Sequence, residues 1–171
     1  MIGTLATEAG RQGIITYMMT PDKDYGQLVS DKVFMYRPKH TGGFEVMGVD
    51  EVKAKFDIQS PAQVIDMLGL MGDSSDNIPG CPGVGEKTAQ KLIAEFGSIE
   101  NLLEHTDQLK GALKTKVETN REMITFSKFL ATIKIDVPIQ LDMDSLVREQ
   151  ADEDSLRQIF EELEFRTPVS Y

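Results

Sequence analysis

The sequence is poor in the residues that build disulfide scaffolds and membrane anchors. Only one of its 171 residues, Cys81, is a cysteine, so no internal disulfide can form and a reducing compartment is expected. No apolar run approaches the ~20 residues of a membrane-spanning helix, and no membrane partner is expected. The N-terminal stretch MIGTLATEAGRQG has neither a basic start nor a long apolar segment, so no signal peptide is expected. His40 and His105 are the only histidines. They stand far apart in polar surroundings and read as surface residues. Positive charge is scarce too: 18 Lys and Arg against 28 Asp and Glu leave a net charge of −10. That weighs against tight nucleic-acid binding, because phosphate contacts need cations. A local basic site can oppose the whole-molecule charge, however, and a carboxylate metal site reads as acidic until its ions are counted.

What is present suits a helix-rich α/β protein of one domain, or one domain with a small appendage. Apolar residues make up 40% of the chain, enough for a core. Ile2, Leu5, Ala6 and Ala9 share a helical face that Gly10 or Gly13 can end. Ile14 to Met19 reads as a buried strand closed by the polar loop Thr20 to Asp24, with a short helix around Tyr25 to Val29. Val33 to Tyr36 and Phe44 to Met47 read as strands joined by a turn at Gly42-Gly43. Asp50 to Phe56 predicts a short helix. Ser60-Pro61 is a start signal for a helix carrying Val64, Ile65, Leu68 and Met71 on one face. Ala89, Leu92, Ile93 and Phe96 mark a second helix, which Gly97 ends. Ser98 can cap another short helix, and weaker helical patterns cover Leu109 to Val117 and Arg121 to Ala131. Pro138 makes Ile133 to Leu141 extended at best. Asp152 to Phe165 predicts a final amphipathic helix.

Two features carry chemistry. The first is the helix–loop–helix unit around NIPGCPGVGEKTA. Gly80, Gly83 and Gly85 let backbone approach a ligand just before a helix N-terminus, whose free N–H groups and dipole favour an anion. Lys87 and Thr88 add a cation and a hydroxyl there. Such a site grips phosphate without reading bases. An isolated PGxG segment would read as a plain interhelical turn, but the doubled Pro-Gly and the lysine that follows favour the grip. The second feature is four aspartates. Asp73 and Asp76 open this loop, and Asp22 and Asp24 lie just past the C-terminal end of the first strand, where α/β proteins gather their sites. They are hard oxygen ligands suited to Mg²⁺ or Mn²⁺. A calcium EF-hand fails here, because the third ligand position after Asp22 and Asp24 holds Gly26 and no Glu closes the loop. Turn residues and turn caps are the plainer reading of each aspartate pair taken alone. Cys81 reads as a small packing residue.

The stretches TPDKDYGQLVSD, MLGLMGDSSDNIPGCPGVGEKTAQKLIAEFGSIENLL and the closing DVPIQLD with FEELEF resemble the 5′-nuclease (5′→3′ exonuclease) domain of bacterial DNA polymerases I, in the flap-endonuclease superfamily. The similarity spans nearly the whole chain. It implies part of a Rossmann-like nuclease core over residues 1–56, a helix–three-turn–helix DNA-binding region over 57–131, and a C-terminal extended segment and helix over 132–171. It implies Asp22, Asp24, Asp73 and Asp76 as metal-binding catalytic residues for two Mg²⁺ or Mn²⁺ ions. Gly80, Gly83, Val84, Gly85, Glu86, Lys87 and Thr88 would then contact DNA. A potassium ion would sit on the carbonyls of Leu70, Met71, Pro79, Cys81 and Val84.

The implied partners are DNA with 5′ flaps, nicks or duplex ends, RNA–DNA primers, and the rest of a polymerase chain, in a bacterial cytoplasm near the nucleoid. The family's upstream acidic cluster, first strand and basic arch have no counterpart here, so the chain is expected to be the C-terminal portion of a larger domain, nearly inactive alone. A non-catalytic helix-hairpin-helix-type DNA-binding module is the alternative. It has no need of two carboxylate pairs. An acidic interaction domain ranks behind both, because it leaves the glycine-rich loop beside Lys87 unexplained.

Overall fold

The computed structural model describes residues 1–39 and 41–165; His40 lies outside the described residues. The chain divides into two units, Met1–Leu141 and Asp142–Tyr171. The first holds α1 (Ile2–Arg11), β1 (Thr16–Met19), β2 (Val33–Pro38), β3 (Phe44–Met47), α2 (Val49–Phe56), α3 (Val64–Met71), α4 (Glu86–Phe96), α5 (Ile99–Glu104), α6 (Gly111–Thr119) and α7 (Arg121–Ala131), with short 3-10 turns at Lys23–Leu28, Pro61–Gln63 and Thr106–Gln108. The second holds α8 (Glu153–Glu162), capped by Asp152, whose carboxylate accepts the Ser155 N–H at 3.0 Å.

The helix signals are obeyed closely. Ser60 accepts the Ala62 N–H, and Ser98 accepts the Asn101 N–H. Gly97 ends α4 with φ +79°. α3 is apolar apart from Asp66, with Val64, Met67, Leu68 and Leu70 all fully buried. It forms the hub on which α4, α5 and α7 pack. Buried Asp66 of α3 ties it to α5 and α7, accepting the Ile99 N–H at 2.9 Å and the Lys128 ammonium at 2.6 Å.

The sheet differs from its expectation. β1 pairs parallel with β2, and β2 pairs antiparallel with β3. The register aligns Met18, Met35 and Met47 in one buried row. The run Ile14 to Met19 is not a buried strand. Only Met18 is buried, while Ile15, Tyr17 and Met19 are 59%, 56% and 72% exposed. The outward row is filled by aromatics that shield one another, with Tyr17 stacked on Phe34 at 5.6 Å and Tyr36 on Phe44 at 4.6 Å. An apolar run of this length reads the same whether one face or two are covered. The segment after α7 is extended and forms no strand.

Candidate functional site

The loop between α3 and α4 is built as two closed turns. Gly72 ends α3 with φ +73°, and Asp73 and Ile78 then exchange backbone hydrogen bonds of 2.9 and 2.8 Å. This clasp holds the tight turn that carries Asp76. Gly80, at φ +63°, closes back on Gly72 so tightly that a Cβ on Gly80 would stand 2.3 Å from the Gly72 nitrogen. Only glycine fits there. The second turn runs from Cys81, whose N–H bonds the Leu70 carbonyl at 2.7 Å, to Val84, whose N–H bonds the Cys81 carbonyl at 3.0 Å. Two of the five carbonyls expected to hold potassium therefore already accept one internal donor, and a carbonyl oxygen keeps a second lone pair.

Beyond this turn, α4 starts at Gly85. The N–H groups of Gly85, Glu86 and Lys87 make no backbone hydrogen bond among the described residues. They are exposed donors at the positive end of an 11-residue helix. Gly83 is exposed as well, its carbonyl accepting the Lys116 ammonium at 3.2 Å. Val84 and Ala89 point into the core, while Lys87 faces solvent beside half-buried Thr88.

The aspartates converge from two distant places. The 3-10 turn Lys23–Leu28 follows β1 and packs against α3. Gln27 clips it down, donating to the Ala131 carbonyl and accepting the Ile133 N–H, both at 2.9 Å. Asp24 thereby meets Asp73 and Asp76, and one carboxylate oxygen of each lies within 4.8 Å of the others. Asp24 belongs to the 3-10 turn and is buried, not a loop residue as the sequence suggests. Asp22 stays exposed at the rim, where its carboxylate accepts the Asp24 N–H at 3.0 Å; it is outside the converged group.

The three carboxylates differ in setting. Asp24 Oδ1 is buried and has no hydrogen-bond partner among the described residues. Burial, then the nearby Asp22 carboxylate, push the Asp24 pKa up to about 6, with Lys23 pulling the other way. At Asp73 burial also opposes charge, but hydrogen bonds from Lys23 and from Ser75 outweigh it and hold the carboxyl down at about 2. Asp73 Oδ1 takes the Ser75 N–H at 2.9 Å and hydroxyl at 2.5 Å, and Oδ2 takes the Lys23 ammonium. A pocket of about 380 Å³, lined by Lys23, Asp73, Ser74, Pro79, Gly85 and Glu86 among others, joins Asp73 to the start of α4.

Residues 59–154 match the family described as 5′–3′ exonuclease, C-terminal SAM fold. The chain belongs to this 5′–3′ exonuclease family. It is 43% identical over 169 residues to DNA polymerase I of Bacillus subtilis (strain 168), covering 98% of this chain and 19% of that protein. The chain thus spans about a fifth of the length of the curated relatives it matches. Its fold is that of T5 5′-exonuclease with bound zinc ions, at TM-score 0.68, 21% identity, 76% of this chain and 47% of that one. A T5 flap endonuclease in a pseudo-enzyme-product complex with DNA and metal ions matches at TM-score 0.66 and 22% identity, over 76% of this chain and 47% of that one. The helix-rich α/β architecture is therefore that of the 5′-nucleases.

Sequence reasoning missed three residues that support this cluster and loop: Lys23, Gln27 and Ser127, whose buried hydroxyl accepts the Gly80 N–H at 3.0 Å. Ser127 carried a signal, being a hydroxyl on the buried face of α7 between Ile124 and Ala131. Gln27 carried none, since its two partners lie more than a hundred residues away.

Proposed function

We propose that this chain is part of a divalent-metal-dependent 5′→3′ exonuclease and flap endonuclease that acts on DNA in replication and repair and grips the backbone without sequence preference. The observation that carries the reading is a pocket that links Asp73, one member of the Asp24–Asp73–Asp76 cluster, to Gly85 and Glu86 at the start of α4. Residues 1–56 would contribute to the nuclease core and 57–131 to the DNA grip.

The residues fit a hard cation. The donor set is all carboxylate, and Asp24 Oδ1 is a buried anionic oxygen without a hydrogen bond. Asp24, Asp73 and Asp76 would hold the ion, Mg²⁺ or Mn²⁺, with Asp22 beside them at the rim. When bound, it would supply a Lewis acid that acidifies water and stabilises the leaving oxygen of a phosphodiester. The clasp of Asp73 with Ile78 keeps the carboxylates in place, and Ser75 fixes the Asp73 rotamer. Gly85, Glu86 and Lys87 would donate N–H groups to backbone phosphates, with the Lys87 ammonium and Thr88 hydroxyl beside them. The carbonyls of Leu70, Met71, Pro79, Cys81 and Val84 would hold a potassium ion, which would supply positive charge to a phosphate backbone. Three converged carboxylates are few for the two ions of efficient phosphodiester cleavage, so the 171-residue chain by itself is expected to bind ion and DNA and to cleave poorly.

The test is binding of the purified chain to a labelled 5′-flap duplex. Lys87→Ala should weaken binding about equally on unrelated sequences and lower the salt slope by ~1. Asp73→Ala should abolish Mn²⁺ binding, followed by electron paramagnetic resonance. Salt-independent DNA binding would refute the backbone grip. Mn²⁺ affinity unchanged after loss of all four aspartates would leave only a non-catalytic DNA-binding module.

A further inference from the structure

We propose that the Lys23 ammonium is a displaceable counter-ion of the Asp24–Asp73–Asp76 cluster, which a divalent cation must expel in order to bind. This rests on the metal-site reading and adds a residue to it.

The geometry of Asp73 is the first reason. Its Oδ1 is occupied twice by Ser75, through the backbone N–H and the hydroxyl. Oδ2 is therefore the oxygen left for an ion, and Lys23 hydrogen-bonds that oxygen. The same ammonium stands 4.0 Å from Asp24 Oδ1, the buried oxygen that lacks a hydrogen bond. One lysine thus lies against both oxygens best placed to ligate a metal. An ammonium and a divalent ion sharing a carboxylate oxygen would stand ~4 Å apart, where like charges repel strongly. Holding both there is costly, so the ion is favoured once the ammonium leaves.

The second reason is that Lys23 has somewhere to go. It lies between Asp22 and Asp24 at the start of the 3-10 turn, so its backbone is fixed beside the cluster. Its stem is flexible, and it lines the 380 Å³ pocket that leads past Gly72 and Ser74 to Gly85 and Glu86. Displacement needs side-chain rotation only. Without metal, Lys23 neutralises part of a cluster that would otherwise repel itself. With metal, it becomes a free cation facing the pocket proposed to take a phosphate backbone.

The experiment is a Mn²⁺ titration of the 171-residue chain, read by electron paramagnetic resonance, for the wild type, Lys23→Met and Lys55→Met. Lys55 is a nearby cation that lies over the Phe56 ring and pairs with none of the aspartates among the described residues. Lys23→Met should bind Mn²⁺ about tenfold more tightly, the scale of one lost charge-assisted hydrogen bond. Lys55→Met should change affinity by no more than about twofold, as expected for a charge without contact. Equal or weaker binding by Lys23→Met, with wild-type binding intact, would overturn the counter-ion role and leave the metal site standing. No Mn²⁺ binding by any of the three would overturn the metal site, and the counter-ion role with it.

A measurement on the unmutated chain keeps the inference testable should Lys23→Met fold poorly. The hydrogen-bonded Lys23 ammonium should give a ¹⁵N–¹H signal in chelator that vanishes on saturation with Mg²⁺. Persistence of that signal at saturation would overturn displacement.

Discussion

The Ser127 hydroxyl, fully buried on α7, accepts the backbone N–H of Gly80 at 3.0 Å. A helix 47 residues downstream thereby satisfies a buried donor in the turn that aims the backbone grip. Ser127→Ala removes the acceptor and keeps the packing nearly unchanged. It should cost about 1–3 kcal/mol, the penalty for an orphaned buried N–H. Urea unfolding checks the stability. DNA affinity should fall while Mn²⁺ affinity holds, because the aspartates are clasped independently by the Asp73–Ile78 pair.

The glycines of the loop are not equivalent. A Cβ on Gly80 meets backbone at 2.3 Å, whereas one on Gly83 meets the flexible end of Lys116 at 2.5 Å. Both residues have positive φ. Gly83→Ala should cost about 1–2 kcal/mol for the left-handed backbone alone. Gly80→Ala should cost clearly more, because Gly72 cannot yield without breaking the end of α3. Equal losses in a denaturation series would refute this ranking.

Asp24 is held against its preference. At neutral pH its ionised form is buried and repelled by Asp22, with its pKa at about 6. In chelator, Asp24→Asn should therefore raise the melting temperature of the chain. In excess Mn²⁺ the order should reverse, since a bound ion stabilises the wild type by mass action and the variant loses a charged ligand. Parallel thermal melts with and without metal read both arms.

The Lys128 ammonium bridges Asp66 at 2.6 Å and exposed Glu100 at 2.8 Å. At Glu100 partial burial favours the neutral form, but the hydrogen bond from Lys128 outweighs it and the pKa is lowered from 4.5. A lowered carboxylate pKa contributes stability that is present above 4.5 and lost as pH falls through the lowered value. Glu100→Gln should accordingly cost at most about 1 kcal/mol near neutrality. The difference from wild type should disappear on acidification past the Glu100 titration. For Lys128, burial lowers the pKa, but its two carboxylate partners outweigh that and raise it above 10.5. Its contribution is complete below 10.5 and fades as alkaline pH passes the raised value. A Glu100→Gln deficit that persists in acid would contradict the assignment.

Local order was decided by the sequence alone. Ser60, Ser98, Gly97 and Asp152 mark helix ends because capping needs one side chain and a few neighbouring N–H groups. The glycine-rich loop was legible for the same reason at Gly85, which opens α4, whereas the need for glycine at Gly80 and the partner of its N–H lie in the packing against Gly72 and Ser127. The aspartates were legible as ligand types, and the family resemblance grouped all four, but which of them converge was not legible. What brought Asp24 to Asp73, left Asp22 at the rim and laid Lys23 on Asp73 Oδ2 was the packing of a 3-10 turn onto α3, held by Gln27 across more than a hundred residues. The exposure of Tyr17 and Met19 was likewise decided in three dimensions. Alternation along a strand assigns residues to two faces, and only tertiary packing decides which of those faces another element covers.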